Sequence, residues 1–330
     1  MAFVYVTHQG ATIRRKSESL IVEADDHMLA ELEVHRVETL CLFGRVHLTL
    51  PAIELLLRRN VETAFLTIHG RLKGQLTPAR PSNITLRLKQ FTKFGDPAVR
   101  LEMARAFVAA KLANGREVLR RFAYNHPGTM GPGIWEPLGQ MIPAARSAES
   151  LSMLRGVEGM GSRAYFAGLA AMNRSDLPFE GRSSRPPLGP VNAVLSFGYV
   201  LLGNEIQHLL DAVGLDPYLG FYHEPADRRA SLAVDLIEEL RHPLIDRFVL
   251  TELNRRTLQA EDFQSADKSD QGTRLTAPGL KKFLARYDRW MRRAGRTGRP
   301  APREVVRRQT ERLAAWLRSG ETYVPYAFEA

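Results

Sequence analysis

The pattern of apolar and polar positions changes character near residue 78. Before it, apolar and β-branched residues come in short runs. Phe3–Thr7, Ala11–Arg14, Ser19–Glu23, Val37–Phe43 and Thr63–Thr67 each read as a strand. Gly10, Asp25 with Asp26, Gly44 and Gly70 punctuate these runs as turns. Two stretches in the same region carry helical spacing, Met28–Glu33 and Leu50–Arg59. Around Leu76–Asn83 the sequence QLTPARPSN breaks both periodicities and reads as a linker. The expectation is an α+β chain, with a small β-rich domain over 1–78 and a larger all-α domain over 79–330.

Beyond the linker the spacing is helical almost throughout. Ala98–Phe122 is a long amphipathic segment in which Phe107, Val108, Lys111, Leu112 and Val118 fall near helical intervals. Pro143 precedes a stretch that reads as helix to Met172, interrupted in composition by Gly156, Gly159 and Gly161. Each glycine costs a helix about 1 kcal/mol against alanine, so this segment is expected to need close backbone approach or a ligand. Asn173–Pro190 is basic and proline-rich, either a surface connector or a mobile loop beside phosphates. Val191–Val213 is a strongly apolar helix, too polar at Asn204, Glu205 and Gln207 to span a membrane, and its His208 reads as a packed helix histidine. A further helix is expected from Leu232 to about Arg256. A polar insert (Ala266–Thr273), a basic helix (Pro278–Arg293), a basic turn (Gly295–Arg303) and a last helix (Glu304–Arg318) complete the chain.

Composition narrows the class. The 330 residues are 44% hydrophobic and 25% charged, ordinary values for a soluble globular protein. Lys and Arg number 46 against 36 Asp and Glu, a formal charge of +10, which suits a polyanionic partner such as nucleic acid. No apolar run approaches ~18 residues and the N-terminus lacks a signal pattern, so a soluble, cytoplasmic protein is expected, with no membrane association. The lone Cys41 sits in an apolar run and reads as core, which excludes an internal disulfide or a cysteine-based zinc cage. Neither a phosphate-binding P-loop nor a dinucleotide-binding glycine pattern occurs.

The densest chemistry lies around Leu215–Glu239. Pro217 and Gly220 give a turn, His223 follows, and Ser231 is the expected N-cap of a helix starting at Leu232. Asp235 and Glu238 stand at i, i+3 and share one face of that helix. A helical wheel puts Glu239 beside Asp246 in a polar sector but Glu238 among Val234, Ile245 and Val249. A carboxylate there is costly unless partnered, by a base or by a metal. An imidazole hinged beside aligned carboxylates suits Mg²⁺ or Mn²⁺.

Several blocks together resemble the CRISPR-associated integrase and endonuclease family of spacer acquisition, the universal adaptation subunit. They are IHGRLKGQL (Ile68–Leu76), VEGMGSRAYFAGL around Glu158, RPPLGPVNAVLSFGYVLLGNEI, GLDPYLGFYHEPADRRASLAVDLIEELR, LTELNRRTLQAEDF and LTAPGLKKFL. They occur in family order and cover essentially the whole chain. The basic run before the Asn-Ala block is diluted here to RSSRPPLGP, and the loop from His223 to Ser231 is short and charged. The resemblance implies a β-rich N-terminal dimerisation domain and a helical catalytic domain. It places the family's metal ligands on Glu158, His223 and Glu238, with Asp235 a further acidic member of the catalytic set. It implies Mg²⁺ or Mn²⁺ as cofactor. The implied partners are double-stranded DNA (prespacer and CRISPR repeat), a second copy of the chain as homodimer, and the small CRISPR adaptation partner Cas2. The implied reaction is insertion of prespacer DNA by 3′-hydroxyl transesterification. A stand-alone metal-dependent nuclease and a non-catalytic DNA-binding scaffold of the same fold are the alternatives.

Overall fold

The computed structural model describes residues 2–78, 83–265, 272–295 and 298–329. Part of the expected linker (79–82), most of the polar insert (266–271) and two residues of the basic turn (296–297) therefore lie outside the described residues. The chain divides into two units, Met1–Pro81 with Ala277–Asp288, and Ser82–Thr276 with Arg289–Ala330. Ala277–Asp288 is the piece that sequence continuity alone would assign to the helical part.

The first unit holds two four-stranded sheets. β1 (Ala2–Val6), β5 (Val37–Phe43) and β7 (Glu62–Leu66) run parallel, and β8 (Leu72–Leu76) closes the sheet antiparallel to β7. β5 is buried along nearly its whole length, with its apolar run Leu40–Phe43 fully so, and Cys41 lies within it. The second sheet orders β4 (His27–Glu33), β3 (Ser19–Ala24), β2 (Thr12–Lys16) and β6 (His47–Leu48). Ile13, Leu20 and Val22 of this sheet join Leu40 of β5 and Leu55 of α1 (Leu50–Arg58) in one apolar cluster.

The helix expected at Met28–Glu33 is instead strand β4, paired antiparallel with β3. Its Met, Leu, Ala and Glu are helix formers, but Asp25 and Asp26 both adopt positive φ, 50° and 61°. Two such residues make the tight turn whose twist matches a hairpin, so the turn fixes the pairing and local propensity yields.

The second unit is helical: α2 (Ile84–Phe94), α3 (Pro97–Asn125), α4 (Glu136–Ser147), α5 (Leu151–Met172), α6 (Gly189–Val213), α7 (Ser231–Arg241) and α8 (Arg247–Asn254), then α9 (Ala277–Arg292), shared with the first unit, and α10 (Pro302–Ser319). A short antiparallel ribbon, β9 (Phe263–Ser265) and β10 (Thr273–Leu275), lies between α8 and α9 and was not expected from the sequence. None of the described helices is long and apolar enough to cross a membrane. His208 is buried in α6, and burial pushes its imidazole down to about 4, as for a neutral packed histidine.

Two expected helices are broken. The stretch from Ala144 to Met172 divides where Ser150 turns its hydroxyl onto the amide of Met153 (3.2 Å) and caps α5. The helix from Leu232 to Arg256 holds a π-turn at His242–Asp246 between α7 and α8. Pro243 lacks the N–H that regular α-helix needs there, and the wider turn absorbs the defect. Of Gly156, Gly159 and Gly161, only Gly161 has a packing reason. A Cβ on it would stand 2.1 Å from Cδ2 of Leu112, so α3 and α5 approach too closely for alanine. Gly156 and Gly159 face open space.

Candidate metal and DNA-cleavage site

The loop after α6 is held to α7 mainly through Asp235. Asp235, fully buried, accepts the backbone amides of Phe221 (2.6 Å) and Tyr222 (3.0 Å) on Oδ2 and that of His223 (2.9 Å) on Oδ1. Its Oδ1 also accepts the Nδ1 proton of His223 at 2.8 Å. That hydrogen bond fixes the ring orientation and leaves Nε2 with its lone pair. Gly220 makes the approach possible, since a Cβ there would stand 2.7 Å from the Ser231 carbonyl carbon and 2.9 Å from Oδ2 of Asp235. Arg100 of α3 and Arg155 of α5 reach Glu224 from the other side, at 3.0 and 3.3 Å. Ser231 is not the N-cap expected from the sequence. The helix begins at Ser231 itself, whose hydroxyl donates to the Glu224 carbonyl at 3.0 Å instead of accepting from a helix amide.

Glu158 on α5 and Glu238 on α7 come together through Lys111 of α3. The Lys111 ammonium contacts Oε1 of Glu158 and lies 2.6 Å from Oε2 of Glu238. Arg241 adds a second, longer contact to Glu238 at 3.5 Å, and the Ser162 hydroxyl donates to Glu158 at 2.7 Å. Burial alone would raise the Glu238 carboxyl, but the charges of Lys111, Arg241 and His223 outweigh it and bring it down to about 2. Tyr222 shows the same neighbourhood from its phenol, which burial and then the charges of Glu158 and Glu238 push well up.

The wheel therefore placed Glu238 correctly as a desolvated carboxylate in need of a partner, and its partner in this chain is a base. It misplaced Glu239 and Asp246, which are not solvated but fully buried. Glu239 accepts from Gln309 (2.9 Å), Tyr323 (2.7 Å) and the amide of Tyr326 (3.1 Å). Asp246 accepts from Tyr165 and from His242, at 2.9 and 2.7 Å. A wheel records the polarity of one helix, and here neighbouring helices and the C-terminal tail bring polar groups to the polar side.

The structure thus joins Glu158 to Glu238 and His223 to Asp235, with His223 near enough that a proton on it acts on Glu238. Among the described residues no three His, Cys, Asp or Glu side chains form a cage by themselves, and the Lys111 ammonium is what stands between the two glutamates. Lys111 is the site residue that sequence reasoning passed over. Its signal was a charged side chain in the apolar stripe of α3, only 3% exposed in the fold. The donor set suits a hard divalent ion: two carboxylates already share one cation, and an oriented imidazole nitrogen stands in the same neighbourhood.

Residues 4–289 match the family model described as CRISPR associated protein Cas1. A protein of Thermus thermophilus described as CRISPR-associated endonuclease Cas1 1 is 34% identical over 327 residues, 98% of each chain. A Geobacter sulfurreducens protein described as a CRISPR-associated exonuclease Cas4/endonuclease Cas1 fusion is 34% identical over 296 residues. Those residues are 87% of this chain but 52% of the fusion, so the chain spans about half of that relative. Among solved structures, a casposase bound to integration product superposes with a TM-score of 0.84 at 22% identity, covering 100% of this chain and 95% of the other, a likeness of fold.

Proposed function

Because the chain belongs to the Cas1 family of CRISPR-associated proteins, we propose that it is a metal-dependent DNA endonuclease and integrase that inserts prespacer ends into a CRISPR repeat. The observation that carries this reading is the convergence of Glu158 and Glu238, from separate helices, on one cation position beside an imidazole oriented by Asp235. Glu158, Glu238 and Nε2 of His223 are the groups that would hold Mg²⁺ or Mn²⁺. Such an ion supplies Lewis-acid stabilisation of the charge that develops on the attacked phosphate.

In the proposed transesterification, a prespacer 3′-oxygen forms a new bond to phosphorus as the bond to the repeat strand's 3′-oxygen breaks. The proton lost by the attacking hydroxyl is matched by one taken up on the departing oxygen. Hydrolytic nicking follows the same course with water as nucleophile. Asp235 keeps the imidazole and the loop amides in register, and Lys111 holds the two carboxylates together despite their mutual repulsion. Arg100 and Arg155 tie the loop carrying His223 to α3 and α5. Gly156 and Gly159 flank Glu158 on the exposed side of α5 and leave room for a strand to approach it. Pairing of two copies through the β-rich unit, and assembly with Cas2, complete the proposed working particle.

The test is strand transfer of a 3′-hydroxyl duplex into a supercoiled plasmid carrying a repeat, with Mn²⁺ or Mg²⁺ and Cas2. His223→Ala is expected to abolish transfer and nicking while leaving DNA affinity nearly intact, because affinity comes from distributed Lys and Arg contacts. Retained transfer in that variant refutes the site. Wild-type nicking without insertion favours the stand-alone nuclease. A wild-type protein that binds DNA without transfer or nicking favours the scaffold.

A further inference from the structure

On the helical unit, away from the carboxylates, a cavity of about 400 Å³ opens where the C-terminal end of α3, the end of α5 and α8 meet. Four arginines line it, Arg121, Arg174, Arg247 and Arg255, together with His126, and the lining contains no Asp or Glu. Among the described residues none of the four is ion-paired to a carboxylate.

Their immediate neighbours behave differently. Arg120 pairs with Glu117 at 2.8 Å, whereas Arg121, one position on, lines the cavity. Arg256 pairs with Asp176 at 2.9 Å, whereas Arg255 lines the cavity. Elsewhere, too, surface arginines take carboxylate partners, as Arg58 does with Glu18 and Arg308 with Glu304, both at about 2.9 Å or less. A concave cluster of cations without anions is therefore not the general habit of this surface.

Three of the four arginines are also held in place. Arg174 lies over the Phe122 ring at 5.7 Å, and the His126 ring stacks on Phe122 at 4.3 Å with its Nδ1 turned to the Phe122 carbonyl. Arg247 rests on Phe328 (4.4 Å) and Trp290 (5.5 Å) and donates to the Pro243 carbonyl at 3.3 Å. Arg121 donates only to the Glu329 carbonyl, at 3.3 Å. Burial, then the repulsion of Arg121, brings the Arg247 guanidinium down to about 10, the response of a cation facing others with no anion between them.

The geometry points to this cavity as a binding site for a second backbone phosphate of the DNA that reacts at Glu158 and Glu238. Guanidinium forks match phosphate oxygens, and aromatic stacking pre-orders the forks. Arg121 follows Lys111 by ten residues on α3, about 15 Å along the helix. For a duplex whose axis lies along α3, at about 3.4 Å of axis per nucleotide, the phosphate held lies about four to five nucleotides from the reacting one. The site would set how far the DNA enters, as a second anchor beside the chemistry. It rests on the DNA-processing reading above.

Arg174 and Arg255 are exposed and carry no side-chain hydrogen bond, so their replacement leaves the fold intact. The experiment compares the wild-type chain with Arg174→Gln/Arg255→Gln and with Arg174→Lys/Arg255→Lys. It measures affinity for a long duplex across a salt series, alongside thermal melting and Mn²⁺-dependent nicking at saturating DNA. The Gln pair is expected to lower the salt slope by about 0.9 and the affinity at 0.1 M salt by about tenfold, with nicking at saturation retained. The Lys pair is expected to recover most of the slope. A duplex too short to reach the cavity should bind both variants like wild type. A Gln pair that melts normally and keeps the wild-type slope overturns the site alone. A wild-type chain that binds DNA with the full slope yet never nicks it leaves the phosphate site standing and removes the catalytic reading. A wild-type chain that does not bind DNA overturns both.

Discussion

Two adjacent glutamates on α7 have opposite electrostatic fates, and the difference sets how stability depends on pH. Glu238 is brought down to about 2, chiefly by Lys111 against the push of burial, whereas Glu239 is raised by burial to about 7 although three hydrogen bonds oppose the rise. Between the ordinary carboxyl value and about 7, folded Glu239 keeps a proton that the unfolded chain has released. The folded state thus binds more protons there, and stability falls as pH rises through that window, by on the order of 3 kcal/mol. Glu238 acts in the other direction and lower down, its contribution being lost as pH falls from about 4.5 towards 2. Glu239→Gln is expected to flatten the melting temperature between pH 5 and pH 7, read by calorimetry in a chelator. A wild-type profile as flat as the variant's would show that Glu239 is not held protonated. The sequence made half of this pair legible. Val234, Ile245 and Val249 around Glu238 announced a desolvated carboxylate, but the groups that bury Glu239 come from Gln309, Tyr323 and Tyr326, far along the chain and invisible to a wheel. Lys111 could have been found by asking which base answers Glu238, since it interrupts an otherwise apolar stripe.

Among the elements, α5 separates packing glycine from exposed glycine. Alanine at Gly156 and Gly159 meets nothing and removes backbone entropy from the unfolded chain, so each replacement is expected to stabilise by about 0.5–1 kcal/mol. Alanine at Gly161 meets Leu112, itself only 1% exposed, and is expected to destabilise by about 1–3 kcal/mol. Denaturant unfolding of the three single variants checks this, and a stabilising Gly161→Ala would mean that α3 and α5 are not so closely packed. Composition gave no way to rank the three glycines, because the contact that singles one out comes from α3. The strands were legible where branched and aromatic residues alternate. β4 was not, because MLAELE has helical composition and only the turn at Asp25 and Asp26 assigns it to a hairpin. The π-turn at Pro243 escaped for a related reason, since a proline within a helical pattern marks a defect without saying how it is absorbed.

At the scale of the whole molecule, the division into a strand-rich part and a helical part was readable from periodicity alone, and blocks spread over the chain pointed to the family that its relatives share. The +10 charge pointed to a polyanion without locating it, because formal charge does not distinguish an arginine paired with a glutamate from one left to face a phosphate. The proposed site is narrower: Glu158, His223 and Glu238 would hold a single divalent metal ion, with Lys111 as the counter-ion of the two glutamates. Titration of the chain with Mn²⁺, followed by the electron paramagnetic resonance signal of the free ion, tests it without relying on activity. Wild type is expected to take up one tightly bound ion, and the Glu158→Gln/Glu238→Gln protein to lose that uptake while still melting cooperatively. Equal Mn²⁺ uptake by the two proteins would place the metal elsewhere and contradict the site.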